Sequence, residues 1–305
     1  MHILTYYWRQ LKPPENPRLV MTILCRNEVD VIEANIRVHA LLGVDAFVVM
    51  DNGSTDGTRE KLGALQGEFD LTIIDQPSQT YQQAKWMLQL AHVARLEKGA
   101  HWVISNDADE FWIPQQGDNL KMHLRLDDSV VTVPRSNMIL TNEALKEGYR
   151  FFHANHRVQY PICYERDAQK RDPNISMLLV PISPKVIVNP NGLIKISGGN
   201  HRAKHWDNWR TARTTEAIRV YHYPIRSYEQ FEANIRHRQQ LLKNTNARMG
   251  DHYRRWVGLY EQGRLREEFE RIVISAAHLN VLSRYKVVVE DTLPRQWFEK
   301  IRELQ

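Results

Sequence analysis

Residues 19–58 read LVMTILCRNEVDVIEANIRVHALLGVDAFVVMDNGSTDGT, and the fold class can be predicted from this segment. Residues 19–24 form an apolar run that is too short for a helix and is typical of a buried strand. From residue 28 to residue 42 apolar side chains recur with helical spacing, and Gly43 ends the segment. Residues 46–50 form a second apolar run. The order strand, helix, strand predicts a βαβ unit, the start of a parallel sheet.

The same alternation continues beyond this stretch. Further strands are predicted at 71–75, 102–105, 130–133, 185–188 and 193–196, with an amphipathic helix over 80–97 and helices from 227 to the end. The pattern predicts an α/β fold with a mixed, mostly parallel sheet flanked by helices and a helical C-terminal extension. Residues 1–18 are expected to be irregular because Pro13, Pro14 and Pro17 interrupt regular structure.

The composition is that of an ordinary globular protein. Of 305 residues, 42% are hydrophobic and 25% are charged, which excludes collagen-like, coiled-coil and disordered classes. The apolar runs fall short of the ~20 residues that a membrane helix needs, and the start lacks the pattern of a signal peptide. Two cysteines, Cys25 and Cys163, favour a reducing compartment. We expect a cytoplasmic enzyme or one that is peripheral on the cytoplasmic membrane face.

Charge is distributed unevenly along the chain. Residues 1–200 carry 21 Lys and Arg against 23 Asp and Glu, a net charge of −2, whereas residues 201–305 carry 20 against 13, a net charge of +7. A basic C-terminal third favours an anionic partner, such as phosphate groups, nucleic acid or an acidic membrane surface. Solvated helices rich in arginine are the alternative. The residues concerned are Arg236, Arg238, Arg254, Arg255, Arg264 and Arg266, among Phe231, Tyr253, Trp256 and Tyr260.

A pair of carboxylates follows the strand predicted at 102–105. Asp107 and Asp109 are two residues apart, so in an extended segment they project to the same side. Their mutual repulsion is relieved by a divalent cation that prefers oxygen ligands, which is Mg²⁺ or Mn²⁺. The alternative is a solvated acidic turn. The apolar strand before the pair and the Glu-Phe-Trp sequence after it favour the metal.

Two more polar loops follow predicted strands. In Asp51-Asn-Gly-Ser-Thr-Asp-Gly-Thr58 the glycines permit tight turns, and the Asp51 carboxylate suits a ribose or a base. A plain helix-capping loop is the alternative. In Cys25-Arg-Asn-Glu28 the last two residues are either ligands or caps. Because ligands bind at the carboxyl ends of parallel strands, all three loops are expected to share one site. Lys85, near the start of the long helix, either neutralises phosphate or lies on a solvated face.

Three strings together resemble a known family. Thr22-Ile-Leu-Cys-Arg-Asn-Glu28, the Asp51 loop and Asp107-Ala-Asp-Glu-Phe111 are similar to the nucleotide-sugar glycosyltransferases of the GT-A fold. The similarity is greatest to family-2-like members, including the branch related to family 92, whose motif continues as Asp-x-Asp-Glu-Phe. Segments at 185–188, 198–201 and 221–227 match later landmarks more loosely, so the resemblance covers roughly residues 19–230.

The resemblance implies a GT-A-like (Rossmann-like) catalytic domain over residues 1–226. Its nucleotide-sugar half spans about 19–112 and its acceptor half about 113–226, and residues 227–305 form the helical extension. The implied activity is that of a hexosyltransferase-type glycosyltransferase in glycan biosynthesis. The implied donor is a nucleotide diphosphate-sugar, with a UDP-sugar expected first, and the implied acceptor is a glycan, a lipid-linked sugar or a small molecule.

The resemblance also implies residue roles. The loop from Cys25 through Arg26 and Asn27 to Glu28 would bind the nucleoside with Asp51. Asp107 and Asp109 would hold the metal that bridges the diphosphate, and His222 would complete the metal shell; an ordinary core histidine is the alternative there. His201 and Arg202 would face the donor phosphate or the acceptor, or would only close a turn.

Several carboxylates are candidates for the catalytic base. We expect an inverting transfer, with retention as the alternative. Inversion needs a carboxylate that deprotonates the acceptor hydroxyl, and the metal stabilises the leaving diphosphate. The candidates are Glu165, with Asp207 as the alternative, and Asp167 and Asp172 in the same region. A processive synthase is disfavoured because His252 stands where the Gln-x-x-Arg-Trp signature has glutamine.

Two other functions fit parts of the sequence. A sugar-nucleotide nucleotidyltransferase also uses a doubly wound sheet and a metal, but Cys25-Arg-Asn-Glu28 lacks the glycines expected after its first strand. A non-catalytic protein would bind an anionic surface, including a membrane, through the basic C-terminal third. Nucleic acid is not an expected partner of the transferase.

Overall fold

The computed structural model describes residues 2–11, 14–78, 82–165, 176–244 and 250–304. The strands are β1 (Leu19–Cys25), β2 (Ala46–Asp51), β3 (Leu71–Asp75), β4 (Trp102–Asp107), β5 (Glu110–Pro114), β6 (Val130–Val133), β7 (Arg135–Asn137), β8 (His156–Val158), β9 (Lys185–Val188), β10 (Leu193–Ile196), β11 (Ala203–His205), β12 (Arg213–Thr214), β13 (Ile218–His222) and β14 (Val288–Glu290).

The helices follow the same chain order. They are α1 (His2–Leu11), α2 (Ile32–Leu41), α3 (Thr58–Leu65), α4 (Gln83–Leu96), α5 (Asn208–Thr211), α6 (Tyr228–Asn244), α7 (Asp251–Glu261), α8 (Leu265–Ile272), α9 (Ala276–Arg284) and α10 (Leu293–Glu303). Every strand expected from the apolar runs is present, and those at 71–75, 130–133, 185–188 and 193–196 have the predicted bounds. No helix among the described residues is both long and apolar enough to span a bilayer.

A seven-stranded sheet organises the first part of the chain. Its order is β12-β6-β9-β4-β1-β2-β3. The pairs β1–β2, β2–β3, β1–β4 and β6–β12 are parallel, whereas β9 runs antiparallel to both of its neighbours. The predicted mixed, mostly parallel sheet flanked by helices is therefore confirmed.

The apolar runs become central strands because both faces of the sheet are covered. All residues of β2 are buried, as are all but one of β1. On one face Trp86, Met87 and Leu90 of α4 pack against Val20 and Val48 of the sheet. Strands that are buried on both faces have continuous apolar sequences rather than alternating ones, which explains why these strands could be read directly from the sequence.

The prediction of an irregular start is wrong for residues 2–11, which form α1. The prolines begin only at residue 13, so they limit the helix at its C-terminal side and leave the first ten residues free to fold. Tyr6 fixes the helix to the protein, because its side chain is fully buried and its hydroxyl lies 3.1 Å from Asp207 Oδ2.

The chain divides into two compact units. The first unit comprises residues 1–135, 183–221 and 300–305, and contains the seven-stranded sheet. The second unit comprises residues 136–182 and 222–299. The chain passes from one unit to the other within β7 and β13. The functional division at residues 226 and 227 that the sequence suggests remains a prediction.

The second unit has its own core. The α6, α7 and α8 helices contribute Phe231, Trp256 and Phe269, whose rings contact one another. The two-stranded antiparallel sheet of β8 and β14 adds Val158 and Val288 to the same core. A helical segment from residue 228 onward is therefore confirmed, with β14 as a short strand between its helices.

Candidate active site

Three polar loops meet at the carboxyl edge of the sheet, as the sequence predicts. The register places Cys25 at the end of β1 opposite Asp51 at the end of β2. The next residue back, Leu24, lies opposite Asp107 at the end of β4. Neighbouring strands are about 4.8 Å apart, so the three motifs follow strands that end at the same level. We call this region the carboxyl edge.

The first two loops are joined by hydrogen bonds. Asn27 has a left-handed backbone with φ 55°, its N–H donates to Ser54 Oγ over 2.9 Å, and its Oδ1 accepts from Thr55 N over 2.8 Å. The Glu28 N–H donates to Thr58 Oγ1 over 2.8 Å. Asn27 and Glu28 therefore connect the β1 loop to the β2 loop. If Asn27 and Glu28 were only helix caps, which is the alternative interpretation, their side chains would bond the backbone of the helix that follows them.

Asp51 is buried and shapes its own loop. Its two carboxylate oxygens accept from Ser54, Oδ2 from the backbone N–H over 3.0 Å and Oδ1 from the hydroxyl over 2.5 Å. The Cys25 thiol lies 3.7 Å from Met50 O and 4.0 Å from Asp51 Oδ1. Burial, with a further contribution from Asp51, raises the pKa of Cys25 well above its usual range. Cys25 is therefore a neutral thiol that packs against Asp51 and is not a reactive nucleophile.

Asp107 belongs to a buried ion cluster. Lys185 Nζ lies 2.5 Å from Asp107 Oδ2 and 3.0 Å from Glu110 Oε2, and Arg135 Nη1 lies 2.6 Å from Glu110 Oε1. The side chains of Lys185 and Glu110 are fully buried. We call Asp107, Glu110, Arg135 and Lys185 the ion cluster. Charges at such depth require partners, because an unpaired buried charge is strongly unfavourable.

The electrostatics of the cluster follow from its burial. Burial raises the pKa of the Asp107 carboxyl, with Lys185 opposing the rise and Glu110 and Asp109 adding to it. Burial alone would lower the pKa of Lys185, but attraction to Asp107 and Glu110 raises it instead. The Lys185 ammonium is thus held protonated between two carboxyl groups.

Asn200 approaches Asp107 from a separate turn. The turn at 198–200 contains two left-handed residues, Gly199 with φ 71° and Asn200 with φ 58°. Gly199 N–H donates to Gln83 Oε1 over 2.8 Å, which ties the turn to α4. Asn200 is fully buried, and its amide Nδ2 donates to Asp107 Oδ1 over 3.3 Å. Its Oδ1 is buried and has no hydrogen-bond partner among the described residues.

These side chains fit a divalent cation. Asp107, Asp109 and Glu110 contribute three carboxylates, whereas Lys185 and Arg135 contribute two positive charges, so the group retains a net negative charge. Carboxylate and amide oxygens are the ligands that Mg²⁺ and Mn²⁺ prefer. Asn200 Oδ1 is such an amide oxygen. It belongs to the side chain that bonds Asp107, and it accepts no hydrogen bond from the described residues.

The remaining donor-site candidates lie around the same motifs. Lys85 is exposed in the first turn of α4, two residues from Gln83. His201 follows Asn200 and its Nδ1 lies 3.0 Å from Pro184 O. Burial lowers the pKa of His201, so the imidazole is neutral near pH 7. Arg202 is exposed, and its backbone N–H donates to Ser197 Oγ over 3.0 Å.

The structure does not bring Asp207 to the carboxyl edge. Asp207 O accepts from Ser129 Oγ, and Ser129 precedes β6, whose first residue is level with the beginning of β4. Four residues of strand separate that level from Asp107, roughly 13 Å at 3.3 Å per residue. The Asp207 carboxylate is held by Tyr6 and lies 3.2 Å from Arg210 Nη2. This placement does not support Asp207 as the alternative base.

The other predicted residues belong to the second unit or lie outside the description. Glu165 is exposed, whereas Asp167 and Asp172 lie outside the described residues. His222 Nδ1 lies 2.7 Å from Asn137 Oδ1, and Met138 N donates to His222 O. The roles of Glu165 as base and His222 as metal ligand stay predictions.

Lys185, Arg135 and Asn200 were not recognised as site residues from the sequence. Lys185 begins the apolar run Lys185–Val188, for which the sequence predicts a strand and a loose match to a later landmark of the family, but no role for the lysine. The available signal was a charged residue in a segment that must be buried, which implies an opposite charge nearby. That signal does not name the partner, because Asp107 is 78 residues away along the chain.

The basic residues of the C-terminal third are largely engaged. Arg255 and Arg271 pair with the buried Glu268, over 2.5 Å and 2.7 Å, and Trp256 donates to the same carboxylate. Three further arginines have partners: Arg238 over Tyr253, Arg266 over Tyr228, and Arg264 with Glu267. These contacts favour arginine-rich helices that pack on their own core over a free anion-binding surface.

The sequence matches the model of a known protein family over most of its length. The family model described as "Glycosyltransferase family 92" matches residues 26–257. No curated protein matches the chain.

Several solved structures are similar to the chain. Crystal structures of S. aureus TarS match with 12% identity and a TM-score of 0.41, covering 81% of this chain and 43% of that one. The TarS fragment 1–349 in complex with UDP-GlcNAc has 13% identity and a TM-score of 0.39, with 94% and 92% covered. Glucosyl-3-phosphoglycerate synthase from Mycobacterium tuberculosis, in complex with Mn²⁺, UDP and glucosyl-3-phosphoglycerate, has 14% identity and a TM-score of 0.34, with 72% and 76% covered.

Proposed function

The chain belongs to glycosyltransferase family 92, and we propose that it transfers a sugar from a nucleotide diphosphate-sugar at the carboxyl edge. The predicted GT-A glycosyltransferase of the family-2-like type is confirmed at the level of family and fold. The observation that carries the proposal is the register that brings Cys25, Asp51 and Asp107 to one edge of a largely parallel sheet. Ligands of open α/β sheets bind there.

The two loops after β1 and β2 are the proposed nucleoside site. Asn27, Ser54 and Thr58 hold them together, so the backbone that would meet the nucleoside is fixed before the donor binds. Such preorganisation lowers the entropy cost of binding. Asp51 positions Ser54 with both of its oxygens, so we assign Asp51 the role of shaping the site as well as that of facing the nucleoside.

Asp107 and Asp109 are the proposed cation ligands, with Asn200 Oδ1 as an added oxygen. When bound, a divalent ion would stabilise the charge that develops on the leaving diphosphate. The chain's own contribution is to hold the Asp107 carboxylate in place, through Lys185 on one oxygen and Asn200 on the other. Lys85 and Arg202, both exposed, are the proposed phosphate contacts.

The acceptor and the stereochemistry belong to the same proposal. We expect inversion, with Glu165 as the base that takes the proton from the acceptor hydroxyl. The expected acceptor is a glycan or a lipid-linked sugar. The anomeric configuration of the product checks the inversion, and the Glu165→Gln variant checks the base.

Calorimetric titration with UDP, GDP, CDP and dTDP, each with and without Mn²⁺, tests the donor site. The first ligands to test are UDP and Mn²⁺, which are both present in the glucosyl-3-phosphoglycerate synthase complex. Metal-dependent binding of one diphosphate supports the proposal, and this binding should be lost in Asp109→Ala. Asp118→Ala, at an exposed aspartate, is the matched control. Absence of binding to all four, or equal binding by Asp109→Ala, would contradict it.

A further inference from the structure

The exposed tryptophans of this protein are confined to one region. Of its eight tryptophans, five are buried, and the exposed ones are Trp8 at 58%, Trp206 at 52% and Trp209 at 83%. Tryptophan is a large apolar side chain that is usually well buried. Three exposed copies in two short segments therefore indicate a contact that the isolated chain does not make.

The α1 helix presents an apolar stripe away from the protein. Leu4, Trp8 and Leu11 are spaced four and three residues apart, so they lie on one helix face. Leu4 is 74% exposed and Leu11 is 79% exposed. Tyr6, which is buried, lies on the opposite face because it is two residues from Leu4 and Trp8, or about 200° around the helix.

Tyr6 places this helix beside the other two tryptophans. Its hydroxyl lies 3.1 Å from Asp207 Oδ2 and 3.1 Å from Thr211 Oγ1, and its ring packs edge-on against His205 at 4.9 Å. Trp206 and Trp209 lie within that same stretch of chain. We call Leu4, Trp8, Leu11, Trp206 and Trp209 the tryptophan patch.

The charges around the patch are almost all basic. In residues 193–213 the basic side chains Lys195, Lys204 and Arg210 are exposed. The one acidic residue of that segment, Asp207, is fully buried. Residues 2–11 contain no acidic residue. The exposed charges of these segments are therefore cationic, whereas neighbouring Asp127, whose carbonyl faces Tyr6, adds a single exposed carboxylate.

We propose that the tryptophan patch docks this protein on the surface of an anionic lipid bilayer. Indole rings favour the boundary between headgroups and acyl chains, because they combine a large apolar body with a polar N–H. Leucines on the outer face of α1 would enter the same boundary, and the basic side chains would meet the phosphates of acidic lipids.

The combination of features favours a lipid surface over another occupant. A flat protein interface would also accept tryptophan, but it would not require an almost uniformly basic rim. This surface differs from the C-terminal arginines considered from the sequence, since most of those pair with Glu268, Glu267 or aromatic rings.

The test measures binding of the full chain to vesicles of phosphatidylglycerol and phosphatidylcholine in a 3:7 ratio. The wild type is expected to sediment with these vesicles, and weakly with phosphatidylcholine alone. Brominated acyl chains should quench part of its fluorescence, since only the patch tryptophans can reach the lipid. Leu4→Ser/Trp8→Ser/Trp209→Ser should bind about tenfold more weakly. This variant should keep its circular dichroism spectrum, because all three positions are exposed.

Matched controls decide between the surfaces. Leu96→Ser/Tyr285→Ser, at two exposed positions elsewhere, should bind like the wild type. Four outcomes would overturn the proposal: no binding by the wild type, no quenching, equal binding by the triple variant, or loss of binding in Arg264→Ser/Arg266→Ser instead. A dimer in sedimentation velocity that the triple variant converts to a monomer would also overturn it in favour of a second copy. None of these measurements uses donor turnover, so they are independent of the proposed function.

Discussion

The two edges of the seven-stranded sheet differ in how they handle polar and apolar side chains. At the carboxyl edge, the fully buried charges have ion-pair partners, as with Lys185 between Asp107 and Glu110. At the opposite edge, next to Ser129 and Asp207, large apolar side chains such as Trp209 are exposed. Both arrangements carry a cost in free energy for the isolated chain. These two edges are also the places where we propose that the chain meets its donor and a lipid surface.

Removing the central cation of the ion cluster should have the largest effect. Lys185→Met leaves the fully buried Glu110 and the partly exposed Asp107 without their ammonium partner, which costs about 3–5 kcal/mol in the free energy of unfolding. Urea denaturation would measure the loss. Lys185→Met/Asp107→Asn removes one carboxylate as well and should recover part of it, since Arg135 still pairs with Glu110. An unchanged free energy in the single variant would show that the cluster is not buried as described.

A second cluster sharpens this comparison, because its cations are partly exposed. Glu268 has a buried carboxylate held by Arg255, Arg271 and Trp256. Glu268→Gln should lower the free energy of unfolding by about 2 kcal/mol, less than Lys185→Met, because water can solvate the released arginines. Glu267→Gln, at an exposed neighbour, is the control. A larger loss here than in Lys185→Met would reverse the order.

The sequence predicted the strands and their polar loops more completely than the contacts between them. Leu19–Cys25 and Ala46–Asp51 are apolar runs buried on both faces, and local composition is enough to identify them. Parallel strands share an edge, so the placement of Asp51 and Asp107 at the same edge also followed. The partner of Lys185 did not, because a pair 78 residues apart depends on how strands order in the sheet. The exposed stripe of α1 did not follow from the sequence either, because Pro13, Pro14 and Pro17 indicate irregular structure for residues 1–18 as a whole.

His39 and Asn35 form hydrogen bonds with the backbone that follows Asp107, and the contribution of His39 to stability should depend on pH. His39 Nε2 accepts from Trp112 N over 2.9 Å, and Asn35 donates to the carbonyls of Ala108 and Glu110. Burial lowers the pKa of His39 from 6.5 to about 3. The unfolded chain therefore binds a proton below pH 6.5 that the folded chain does not.

This difference in proton binding sets the sign of the effect. As the pH is lowered from 6.5 to 5, the free energy of unfolding should fall on account of His39 alone, at a rate that approaches about 1.4 kcal/mol per pH unit. His39→Gln, which retains an acceptor for Trp112, should show a shallower slope in urea titrations across that range. Equal slopes in the two proteins would mean that His39 is accessible to protonation in the folded state.

The smallest expected effect concerns the tie between α1 and the rest of the first unit. Tyr6→Phe keeps the ring contact with His205 but removes the hydroxyl that meets Asp207 and Thr211. The free energy of unfolding should drop by about 1 kcal/mol, and amide exchange of residues 2–11 should accelerate more than that of β1. Asp207 keeps Arg210 as a partner, which limits the cost. Tyr7→Phe, one residue along and less buried, is the control. Unchanged exchange in α1 would mean that the Tyr6 hydroxyl does not hold the helix beside Trp206 and Trp209.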